Sequence, residues 1–469
     1  MTIQTALKDT NRLVCETGED LAQIAQRFQN PSHRRAFYAE LTARRNIAEP
    51  TVNAFEHRRE ACPETVTGPL NGLPITVKDQ IAVAGWPTGF GMERMPRKPD
   101  SHSAPLVTQL RALGACVTGK TALPPNAMDF QTSNKRRGPT RNPHNPDFTA
   151  GGSTGGGAAA VASGMSLLDV GADLAGSLRI PAAWCGVTSY TPTEGFWPND
   201  GLLRGAQKLD HFARIGLTAR TASDLAYIWG LIQSSAATPP ASAHIALWSP
   251  SANAPCDHET QSAWQRFGEM LASTHPNVTP NPMTALFEID VYRLAGEIIG
   301  YETGALVPWL IRWFMRRDQK ARETSPGFVA HVHEGYKRDR IRHGYNLKKL
   351  AQLRAMAFET WAEADALLLP VTGVCAFKHL APIRDQSGVR TYDKIFDTAA
   401  GKLGYFDALT RFTVPLTALG WPVVTLRVGI DSNGIPIGAQ LVGKPGADGA
   451  LLALAKALQA ELEHPTPRT

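Results

Sequence analysis

Residues 151–186 read GGSTGGGAAAVASGMSLLDVGADLAGSLRIPAAWCG, and the fold turns on what this Gly-, Ala- and Ser-rich stretch does. Glycine-rich segments serve as flexible linkers, as phosphate cradles, or as places where backbone must approach a substrate. A phosphate loop is excluded, because GGSTGGG lacks the Lys-Ser/Thr that such a loop needs in frame. A linker fits poorly, because AAAVASGMSLLDVGAD continues directly as a helix former and then a short buried strand. Gly151 to Gly155 formally match the G-x-S-x-G elbow of α/β-hydrolases, a turn that needs a buried strand just before it. The residues actually there, RNPHNPDFTA, are polar and broken by prolines.

The second polar island, LAGS, lies at a corner where the strand SLLDVGAD gives way to SLRIPAAW. Successive backbone N–H groups at such a corner point into one concavity, a nest suited to a developing oxyanion. Ser177 at its end would set a hydroxyl beside those donors. It needs a base, and neither island has a histidine close by. The β-branched run Ile75–Val77 predicts a buried strand ending at Lys78, and a desolvated lysine gives up its proton readily. The plainer alternatives are helix capping for the serines and a buried ion pair with Asp79 or Asp173 for Lys78.

Outward from this stretch, helix and strand alternate to about residue 230, which argues for an α/β layer structure. Thr17 and Asp20 form a T-x-x-D helix start, and PSHRRAFYAELTARRN predicts a second helix. Residues 286–365 turn helical, and the strands ADALLLPV and WPVVTLRVG then return. Strands arriving so late most simply rejoin the first sheet. The expected fold is one large α/β domain with a central mixed sheet flanked by helices. Its core spans about 68–235 and 361–469, with N-terminal helices in 1–67 and a helical insert at about 286–360.

Apolar residues make up 43% of the 469, charged residues 19%, and the net charge is +6. That is an ordinary globular balance and gives no sign of a nucleic-acid partner. Without a signal-like start or a membrane-length apolar run, no membrane partner and a cytoplasmic location are expected. Six cysteines (Cys15, Cys62, Cys116, Cys185, Cys256 and Cys375) are scattered without a C-x-x-C pair, so free thiols are expected rather than disulfides or zinc ligands. His331 and His333 in HVHEG sit two apart, on different sides of a helix, and no H-E-x-x-H occurs. Neither a metal nor another cofactor is expected.

The segments GPLNGLPITVKD, GKTALPPNAMDFQ, GPTRNPHNPDFTAGGSTGGGAAAVASG, GADLAGSLRIPAAWCGV and FTVPLTALGWPVVTLRVG…GIPIGAQLVG follow one another between about residues 68 and 445. In that order the chain resembles the amidase signature family. The resemblance implies amide hydrolysis by a Ser–Ser–Lys apparatus, with Ser177 as nucleophile, Ser153 as bridging serine after a cis peptide bond, and Lys78 as base. It places the oxyanion on the backbone amides of Leu174, Ala175 and Gly176. Met128, Phe130, Gln131 and Trp184 are candidates for the substrate pocket. The family's usual GTDTGGS is here GADLAGS, so Ala172, Leu174 and Ala175 make the wall more apolar. Its GLKPT is SYTPT, with Tyr190 and Thr191. Thr410 and Arg411 stand where the glutamine-hydrolysing branch carries an acid, which argues against a glutamine amino group.

The substrate expected is a small amide, and passing the acyl group to an amine instead of water stays open as an alternative; a homodimer is the assembly considered. Between Arg312 and Arg354, twelve Lys/Arg stand against four Asp/Glu. Trp313, Phe314, Tyr336, Ile341 and Leu347 are interleaved with them, predicting a helical face that buries the apolar set under a positive surface. Such a surface is either simply solvated or a landing site for an acidic substrate or an acidic carrier domain.

Overall fold

The computed structural model describes residue 14 and residues 18–463, apart from 94–97, 204–208, 235–237, 241, 251–254 and 387–388. The run PITVK forms the strand Pro74–Lys78, buried along its whole length. It lies parallel to both Cys116–Thr121 and Leu168–Asp173. Strands buried on both faces read as continuous apolar runs, which is why these were legible. The sheet has 11 strands, in the order Phe55–Arg58, Cys116–Thr121, Pro74–Lys78, Leu168–Asp173, Arg214–Ala219, Thr188–Thr191, Val423–Ile430, Pro436–Gly443, Ala366–Pro370, Ile245–Trp248 and Val278–Asn281. The edge strand Phe55–Arg58 is antiparallel to its neighbour; inside it, parallel pairs on either side flank five antiparallel ones. The late strands do rejoin the early ones, in a single α/β domain with a mixed central sheet.

Two helices precede this sheet. Leu21–Arg27 starts with a capping box made by Asp20 and Gln23; Thr17 lies outside the described residues. Pro31–Val52 runs further than its sequence pattern indicated, through Pro50, and stops at Asn53 with φ +56°. The described cysteines, Cys62, Cys116, Cys185, Cys256 and Cys375, are free thiols.

Residues 289–360 form the helices Ile289–Thr303, Trp309–Arg316, Gln319–Thr324, Val329–Gly335 and Arg340–Thr360. They join the core through Asp407, which accepts the amides of Gly327 and Phe328 at 2.8 Å each. Here one expectation fails. Tyr336 is buried and Leu347 half-buried, but Trp313, Phe314 and Ile341 are exposed, with Trp309, Leu310 and Ile311 beside them. Helical spacing shows that an apolar face exists, not that a neighbour covers it. The Trp309–Arg316 helix is seated by its other side, through buried Met315 and the Arg312 Nη1 bond to the Gly304 carbonyl. Among the described residues, no helix is long and apolar enough to cross a membrane.

Candidate active site

Three elements deliver the residues singled out from sequence. The strand Pro74–Lys78 ends at Lys78, which is fully buried. Ser153 and Thr154 lead into the helix Gly155–Ala162, and the Gly152–Ser153 peptide bond is cis. Ser177 follows the strand Leu168–Asp173 and opens into the helix Arg179–Cys185. The residues before Gly151 form only isolated bridges, Arg141 to Thr149 and Phe148 to Lys378, so the hydrolase elbow has no strand to stand on.

The Lys78 ammonium nitrogen donates to Ser153 Oγ at 2.7 Å and to Thr154 Oγ1 at 3.0 Å. Neither expected acid pairs with it: Asp79 lies near Lys120, and Asp173 is held by Arg179. Burial lowers the Lys78 pKa to about 7, although Asp169 and Asp173 pull it back upward. The Thr154 amide donates to the Ser177 carbonyl at 3.0 Å, which ties the two serine segments together.

The Ser177 corner is braced from below. Burial acts to raise the Asp173 pKa, but the adjacent Arg179 guanidinium and backbone donors overrule it and hold the carboxyl well below the usual range. Asp173 accepts the amides of Gly176 at 2.9 Å and Leu178 at 3.0 Å. The Gly176 amide, expected from sequence among three oxyanion donors with Leu174 and Ala175, is thus already engaged inside the loop. Gly176 has φ +113°, and a Cβ there would lie 2.8 Å from the Thr413 side chain, so no other residue fits. Thr413 Oγ1 in turn donates to the Ala175 carbonyl at 2.6 Å.

The pocket candidates separate into two kinds. Met128 is half-buried, and Phe130 packs edge-on against Phe406. Gln131 spends its side chain on the backbone of Leu380, accepting its amide at 2.8 Å. Trp184 is a core residue packed edge-on against Phe377. Tyr190 bonds Asp448, and Arg411 lies over the Tyr292 ring.

Two groups escaped the sequence reading. One is Thr154, which sits in the quoted motif as an unremarked neighbour. The other is buried Asp129, whose Oδ2 accepts Tyr392 Oη at 2.6 Å and Arg390 Nη1 at 3.1 Å, while Oδ1 accepts Tyr405 Oη at 2.8 Å. Burial raises its pKa, with Arg390 opposing. A Cβ on Gly152 would meet the Asp129 carbonyl at 2.8 Å, so this hub backs directly onto the Ser153 segment.

The family model Amidase matches residues 38–452. The chain belongs to the amidase signature family. It is 30% identical over 457 residues to the putative amidase AmiA2 of Mycobacterium tuberculosis, covering 88% of this chain and 87% of that one. Over 164 residues it is 43% identical to the indoleacetamide hydrolase of Pseudomonas savastanoi, 35% of each chain. A crystal structure of an amidase superposes with a TM-score of 0.78 at 26% identity, covering 94% of this chain and 100% of that one. Amidase signature proteins are hydrolases of amides, and this chain carries their fold over most of its length.

Proposed function

We propose that this amidase hydrolyses a small carboxylic amide through an acyl-enzyme on Ser177, with Ser153 and Lys78 as its proton relay. The observation that carries the reading is the buried Lys78 amine, held by two hydroxyls, without an ion pair among the described residues, with a pKa near 7. Neutral Lys78 takes the Ser153 proton as Ser153 takes that of Ser177, whose Oγ attacks the carbonyl carbon. The oxyanion is received by the amides of Leu174 and Ala175. The relay returns its proton to the leaving amine, and water then releases the acid by the same route.

Intact-mass spectrometry with a fluorophosphonate tests this. One adduct is expected on the wild type and none on Ser177→Ala; undiminished labelling of that variant overturns the assignment.

The insert supplies the partner side of the proposal. A cavity of about 400 Å³ there is lined by Arg316, Arg317, Gln319, Arg322 and Glu323. Its arginines suit a substrate carboxylate or an acidic carrier domain, and a carrier would favour the second reading, acyl transfer to an amine. Reversing Arg316, Arg317 and Lys320 to Glu should then raise KM for an acidic amide and spare a neutral one.

A further inference from the structure

Away from Lys78 and Ser177, three distant chain segments bring acidic groups and a thiol together. Asp257 caps the helix His258–Thr274, whose first turn carries Glu259. Cys375 lies on the loop after the strand Ala366–Pro370, and Asp431 opens the turn between Val423–Ile430 and Pro436–Gly443. The Cys375 sulfur and one carboxylate oxygen each from Glu259 and Asp431 lie within 4.8 Å of one another.

Asp431 is only 7% exposed. Its Oδ1 accepts the amides of Asn433 at 2.9 Å and Ile435 at 2.8 Å. Its Oδ2 is buried and has no hydrogen-bond partner. Asp257 adds another carboxylate beside the thiol, its Oδ2 accepting the Cys375 amide at 3.0 Å. Among the described residues, no Lys or Arg forms an ion pair with Asp257, Glu259 or Asp431. A buried carboxylate oxygen without a donor is costly, and uncompensated like charges around it add to the cost. A cation removes both.

We propose that Glu259, Cys375 and Asp431 form a binding site for a borderline divalent cation of the zinc type. The donor set selects the ion: calcium and magnesium take oxygen alone, whereas thiolate with carboxylates suits zinc or cobalt. Glu259 is already oriented, accepting the amide and hydroxyl of Ser432 at 2.8 Å each, and its remaining lone pairs are available. A tetrahedral ion draws its ligands closer than 4.8 Å, a movement within reach of the Cys375 and Glu259 rotamers, and water completes the shell. On coordination the thiol proton leaves to solvent. Because that proton must leave, binding releases it and affinity increases with pH.

The ion acts as a clamp, not as a reagent. It joins a helix start, a hairpin turn and the loop running on to Phe377 and Leu380, which pack against Trp184 and Gln131. No sequence motif marks it, because the three ligands share no local spacing.

Cobalt titration of the chelator-treated full chain tests the site. One equivalent should bind with a thiolate-to-cobalt charge-transfer absorption, and zinc should displace it. Cys375→Ser should abolish that absorption with the circular dichroism unchanged. Cys256→Ser, which removes the thiol next to Cys375, should retain it. Asp431→Asn should weaken cobalt binding at least tenfold. The proposal is overturned if saturating cobalt gives no such absorption, or if the absorption survives Cys375→Ser.

Discussion

Two lysines leave neighbouring parallel strands in opposite directions, and they keep different company. Lys78 pairs in register with Thr121 and Lys120 with Val77, so their side chains point to opposite faces of the sheet. Both are fully buried. Lys120 donates to the Ile81 carbonyl at 2.7 Å and to Thr88 Oγ1 at 3.1 Å, with Asp79 at 3.8 Å. Among the described residues the hydrogen bonds of Lys78 go to hydroxyls, those of Ser153 and Thr154, and no carboxylate forms an ion pair with it. Burial lowers both pKa values, opposed by Asp79 and Asp100 at Lys120 and by Asp169 and Asp173 at Lys78, but only Lys120 has a carboxylate within 4 Å among the described residues. The difference teaches what would suit a buried lysine to the proposed role of base. A carboxylate at hand turns it into a strut, and hydroxyls alone leave its lone pair within reach of the chemistry.

The largest effect that can break this comparison is on turnover. Lys78→Met should lower kcat/KM by about 10⁴-fold while the protein stays folded. Ser153→Ala should lose less, roughly 10²- to 10³-fold, because water can bypass a relay but not a base. If Lys120→Met cost as much activity in folded protein, the two lysines would not differ in role.

Next in size is a pH effect. Unfolded, Lys78 titrates near 10.5; folded, near 7. Below about 7 both states hold the proton and the burial penalty is fully present. Between these values only the unfolded chain holds it, so the stability contributed by Lys78 climbs with pH, by roughly 5 kcal/mol in all. The unfolding free energy of the wild type, minus that of Lys78→Met, should rise from pH 7 toward 10. Over the acid side kcat/KM should increase with pH through about 7, as Lys78 becomes neutral. A flat stability difference would mean that Lys78 is not desolvated.

Lys120→Met removes the ammonium beside buried Asp79 and should destabilise by about 3–5 kcal/mol, read by denaturant unfolding, with kcat unchanged in the folded fraction. The smallest effect belongs to Thr154→Val, which removes one of the two hydroxyls on Lys78. It should lower kcat roughly tenfold and shift the acid limb of the profile, by the rule that each unit is about 1.4 kcal/mol. A variant with unchanged rate and profile would make Ser153 alone sufficient.

The two faces also differ in how much of them the sequence could say. The strand ending at Lys78, the glycines around Ser153 and the corner at Ser177 are short-range patterns, and their spacing survives folding intact. The Asp129 hub does not work that way: its partners Arg390, Tyr392 and Tyr405 lie more than 250 residues downstream. No local signal marks them. Gln131 and Trp184 were legible as neighbours of the site but not as residues already committed to Leu380 and Phe377. Trp313 and Phe314 failed for a simpler reason, since periodicity cannot say whether a face has a neighbour.

Arg179 gathers Asp173 at 2.8 Å, the Thr413 carbonyl at 3.1 Å, Thr417 Oγ1 at 2.8 Å and Gln440 Oε1 at 3.1 Å. Its position imposes a timetable. On the ribosome, the serine loop emerges long before residues 413–440, and until they arrive the guanidinium lacks most of its acceptors. Long-range contacts of this kind form late, after the loops between them have closed. The nascent chain therefore carries the Ser177 loop in a slack setting, and the loop tightens only once nearly the whole polypeptide has been made. A chain cut short before Thr413 leaves Arg179 with Asp173 alone of these four partners, and the serine loop without most of its frame.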